Sequence, residues 1–106
     1  MMNAREAARQ EEHKRDCLAR HLIRQPFSKQ RDFLQTMKVK ALKQDISRRM
    51  REQMAIEIAS MEPSLRQLRF RQLEKIASHS QRNYEWYMDI RSRVDSILQP
   101  REAEHV

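Results

Sequence analysis

Residues 60–75 read SMEPSLRQLRFRQLEK. Leu65, Leu68, Phe70 and Leu73 sound like a core, yet Arg66, Arg69 and Arg71 are threaded between them and Pro63 stands at the start. A strand would alternate with period two and a buried helix would keep its charges to one face. This stretch reads as a helix opened by a proline, with both apolar and cationic sides. Ser64 and Gln67 occupy the places of a capping box, so the helix is expected from about Leu65.

Working outward, the same helical reading extends along the chain. Glycine is absent and only 3 of the 106 residues are proline. Arg, Gln, Met, Leu, Ala, Glu and Lys, all good helix formers, dominate the rest. Towards the C-terminus, Leu65, Leu68, Leu73, Ile76, Tyr84, Tyr87, Val94 and Leu98 extend one helix to Pro100, and REAEHV forms a polar tail. Before Pro63, a long helix from Lys29, capped by Ser28, runs to about Met61. From Leu42 through Ile46, Met50 and Met54 to Ile58 its apolar step is four every time. That row drifts around the axis, which disfavours a left-handed coiled coil. A thinner helix follows Asn3, a cap with Glu6 three places on, and ends near Arg24 before Pro26.

The resulting expectation is an all-α, elongated chain with two long helices and a weaker N-terminal one, bent at Pro26 and Pro63. Its segments are 1–25 (helix or loose arm), 26–62, 63–100 and the tail 101–106. An αα-hairpin about the Pro63 corner is the alternative to an extended layout. Leu, Ile, Val and Phe total only 21 of 106 residues, while 35% are charged. Little independent core is therefore expected, and a partner is expected to complete it.

Charge points to the partner's chemistry. The net charge is +7, with 16 arginines against 6 lysines, so an acidic protein surface, nucleic acid or an anionic membrane all qualify. Arginine concentrates in RRMRE at 48–52 and LRQLRFR at 65–71. No zinc finger, helix-turn-helix or RNA module is legible, which places nucleic acid second. No run is apolar enough to span a membrane, so none is expected as partner. The arginines of the first 24 residues invite a mitochondrial presequence reading, but Glu6, Glu11, Glu12 and Asp16 oppose it.

Without glycine no phosphate-cradling loop can form, and no acid–base constellation emerges. An enzyme, a cofactor and a small-molecule substrate are not expected. Cys17 with His21 and His13 at i±4 permits a metal reading, but a docked thiol is the simpler one. The aromatic knot NYEWYMDI, residues 83–90, supplies Tyr84, Trp86 and Tyr87 as candidate interface anchors. With Leu65, Leu68, Phe70 and Leu73 as apolar contacts and Arg66, Arg69 and Arg71 as electrostatic locks, they make the expected partner-binding set.

Over residues 54–90 the chain resembles the family of cilia- and flagella-associated protein 141. The resemblance lies in Leu68, Leu73 and Ile76 leading to Trp86, Asp89 and Ile90, and in basic, Gln- and Arg-rich helices. It implies a non-enzymatic microtubule inner protein of cytoplasmic origin. Such a protein sits in the axoneme of a cilium or flagellum, its helices laid on tubulin and neighbouring inner proteins. The alternative from another class is an RNA-bound or organellar subunit, such as a mitochondrial ribosomal protein; a regulatory hairpin binding one protein is the third reading.

Overall fold

The structure is a computed structural model that describes the backbone of residues 3–103 and the side chains through Gln99. Among the described residues it is all helix: α1 (Ala4–Ile23), α2 (Phe27–Thr36), α3 (Lys40–Ala59), α4 (Pro63–Ala77) and α5 (Gln81–Ala103). The chain divides into two units, residues 1–53 and 54–106, with the division inside α3.

In the first unit, Asn3 caps α1 as its sequence indicates, its Oδ1 accepting from the Glu6 amide at 2.8 Å. Basic side chains at Arg20 and His21 in the last turn complement the helix dipole. Pro26, not Ser28, holds the N-cap position of α2, and no side chain caps it. Ser28 lies inside the helix. The buried apolar side chains here are Ala19, Leu22, Ile23, Leu34, Ile46 and Met50.

The long helix expected from Lys29 to Met61 is two helices. Met37 adopts extended backbone and the break covers Met37, Lys38 and Val39. Thr36 Oγ1 donates to the Phe33 carbonyl at 2.6 Å, a local bond that competes with helix propagation. β-Branched Thr36 and Val39 on either side weaken the helix further.

In the second unit the helix expected from Leu65 to Leu98 is also two. Glu62 is the N-cap of α4 and Pro63 its first helical residue, where a missing amide costs nothing. The helix stops at residues 78–80. Ser78 Oγ donates to the Lys75 carbonyl at 2.6 Å, and Ser80 Oγ accepts from the Asn83 amide at 3.1 Å, starting α5. Asn83 reaches back through Nδ2 to the Ile76 carbonyl at 3.2 Å, so one residue secures both helix ends. The hairpin therefore closes at this serine pair between α4 and α5, rather than at Pro63.

Buried side chains of this unit are Met54, Ala55 and Ile58 of α3, Leu73 and Ala77 of α4, and Tyr87, Ile90 and Val94 of α5. Pro100 does not end α5, which continues to Ala103. Residues 104–106 of the expected tail, with His105, lie outside the described residues.

The elongated layout of two long helices gives way to shorter helices that touch their neighbours, α1 with α2 and α4 with α5. Among the described residues fourteen apolar side chains are buried, Ile46, Met50, Met54 and Ile58 from the row of step four included.

Candidate interaction surface

The arginines decide what the surface can bind, because a guanidinium already satisfied inside the chain is not offered to a partner. In RRMRE, Arg48 donates to Asp45 and Glu52, Arg49 to Asp45 and Asp16, and Arg51 to Ser47 Oγ. Asp45 is the hub: its Oδ2 also receives Arg15 from α1 at 3.0 Å. Burial pushes the Asp45 carboxyl up, but the hydrogen bonds from Arg48, Arg15 and Arg49 together outweigh it. They hold the group well below the usual carboxylate range. With the Arg49–Asp16 pair at 2.6 Å, this network ties α1 to α3 within the first unit.

Arg66 is likewise turned inward. Its guanidinium donates to the carbonyls of Ile58 at 3.3 Å and Ala59 at 3.3 Å in the last turn of α3 and of Met61 at 3.0 Å just beyond it. Arg69 is half-buried and bonds Gln72. Arg71 is exposed and makes no ion pair among the described residues.

On the side of α4 facing α5, Phe70 meets Tyr87 edge to face, with centroids 6.5 Å apart at 85°. Arg91 lies over both rings, 5.3 Å from that of Phe70 and 6.0 Å from that of Tyr87. Tyr87 Oη donates to Glu74 at 2.7 Å and accepts from Arg91 at 2.6 Å. Burial first, then the bond to Glu74, raises the Tyr87 phenol above its ordinary value. This cluster braces the hairpin.

The expected partner-binding residues therefore separate. Leu73 and Tyr87 are buried within the chain, and Phe70 and Trp86 are half-buried. Leu65 and Leu68, by contrast, keep 53% and 51% of their surface exposed. They stand one turn apart on α4, and from Leu68 the exposed row continues through Arg71 and Lys75. Tyr84 is exposed with exposed Met88 one turn on, the side that their i, i+4 spacing gives them.

What the α4 face can do is bind. Covering the open half of each leucine is worth about 1 kcal/mol, and Arg71 and Lys75 set the sign of the surface that covers them. Elsewhere, Cys17 Sγ lies 3.5 Å from His13 Nε2 on the surface of α1. Among the described residues no group of three or more His, Cys, Asp or Glu is gathered as for a metal ion. No helix among them is long and apolar enough to cross a membrane.

By its architecture the chain is an all-α helical protein. No family model matches it, and neither a curated protein nor a solved structure is similar to it at a significant level.

Proposed function

We propose that the chain is a non-enzymatic structural subunit of a large assembly, docking through the outer face of α4 on an acidic protein surface. The reading extends to tubulin, with neighbouring inner proteins, in the doublet microtubules of cilia and flagella. One observation carries it: Leu65 and Leu68 lie half open on α4, with Leu68 in line with exposed Arg71 and Lys75, neither of which is in an ion pair among the described residues. The resemblance over residues 54–90 supplies the kind of assembly. Nucleic acid is the weaker reading, since Arg48 and Arg49 are bonded to Asp45, Asp16 and Glu52 within the chain and present less charge to phosphate.

The test is fractionation of ciliated cells expressing the tagged chain, beside copolymerisation with purified tubulin. The wild type is expected in the salt-resistant doublet fraction and in the polymer pellet, and the Leu65→Asp/Leu68→Asp variant in the supernatant of both. A wild-type chain outside cilia that ignores tubulin would overturn the reading, as would a variant that sediments like the wild type.

A further inference from the structure

The positive charge of this protein is not spread along it. Residues 20–43 contain seven arginines and lysines against the single acid Asp32, so that segment holds six of the seven net charges. The other 82 residues are nearly neutral, and their arginines include those bonded to Asp45, Asp16 and Glu52. Among the described residues no cation of 20–43 is in a salt bridge, and all of these cations but Lys43 are exposed.

Part of this charge has a local reason. Arg20 and Arg24 lie in the last turn and at the C-cap of α1, where cations favour the helix dipole. Three others run against local stability: Lys29 is in the first turn of α2, and Lys40 and Lys43 are in that of α3. Neither first turn contains an acid, and α2 has no side-chain cap. Cations gathered at two helix N-termini repel the positive ends of both dipoles. Among the described residues no salt bridge compensates them, whereas an extended anionic partner would meet both the lysines and the dipoles.

We propose that residues 20–43 form a second docking surface, separate from the α4 face, whose occupant is an acidic polypeptide with interspersed apolar side chains. The apolar element is read from Phe33, exposed one turn from Lys29, and from Val39, 61% exposed between Lys38 and Lys40. A single-stranded nucleic acid would want a series of open rings for its bases, and here Phe33 is the one exposed aromatic.

The measurement is fluorescence anisotropy of the full chain with two labelled probes of equal charge, a Glu-rich peptide carrying two leucines and an oligouridine RNA, at low and physiological salt. The peptide is expected to bind more tightly than the RNA. Lys38→Glu/Lys40→Glu and, separately, Lys29→Glu/Arg31→Glu are expected to weaken the peptide by about tenfold or more. Lys40→Glu alone should raise Tm while lowering affinity, a pairing that loss of folding cannot produce. Leu65→Asp/Leu68→Asp should leave the peptide bound, which keeps this surface distinct from the α4 face. Preference for RNA, binding of neither probe, or affinity indifferent to the charge reversals would overturn the proposal.

Discussion

Arg66, in the first turn of α4, closes the end of the preceding helix by donating to the carbonyl of Met61 across 3.0 Å. The same guanidinium serves Ile58 and Ala59, so a side chain that sequence alone offers to a partner is spent on a corner of the fold. Arg66→Ala is therefore expected to lower stability by about 1–3 kcal/mol through unsatisfied carbonyls. Thermal denaturation by circular dichroism checks this, with Arg71→Ala as the neighbour that should change Tm little.

Asp45 predicts an acid-sensitive first unit. Its folded carboxyl titrates below the unfolded value, so its contribution is complete above about pH 4 and is lost as pH falls through the depressed folded value. Asp45→Asn is expected to cost about 1–2 kcal/mol at neutral pH, discounted for the partial exposure of the network. Tm measured against pH should show a shallower acid limb in the variant than in the wild type.

Tyr87 predicts the opposite limb. Its phenol is raised in the fold, so the associated stability is complete below about pH 10 and fades as pH rises through the folded value. Tyr87→Phe keeps the ring against Phe70, loses the bonds to Glu74 and Arg91, and is expected to cost about 1 kcal/mol. Tyr87→Ala also loses the packing, at about 3–5 kcal/mol. Denaturant unfolding at neutral and alkaline pH separates the two contributions.

The turn at 78–80 predicts a local defect. Ser80→Ala removes the acceptor for the Asn83 amide and is expected to cost about 1 kcal/mol. Hydrogen exchange should then speed up at the start of α5 before it does within α1.

The sequence made some of this legible. Missing glycine and abundant helix formers announce an all-helical chain, Asn3 and Glu6 mark the first cap, and the row Ile46, Met50, Met54, Ile58 is buried as its spacing implies. The breaks at Met37 and at Ser78 were less visible because prolines drew the boundaries. Ser and Thr side chains turning onto their own backbone end helices with no change in composition. Among candidate contacts, Leu65 and Leu68 could be placed on a face but their exposure could not. Arg15 meets Asp45 thirty positions away, and spacing along one helix carries no trace of that pairing.

Each of the four connections between helices is three residues long, and among the described residues no backbone turns through positive φ. Closing such short loops costs little chain entropy, and neighbouring helices can pair as soon as both exist. Folding in the microsecond to millisecond range follows, and α1 and α2 can meet while the ribosome is still making α5.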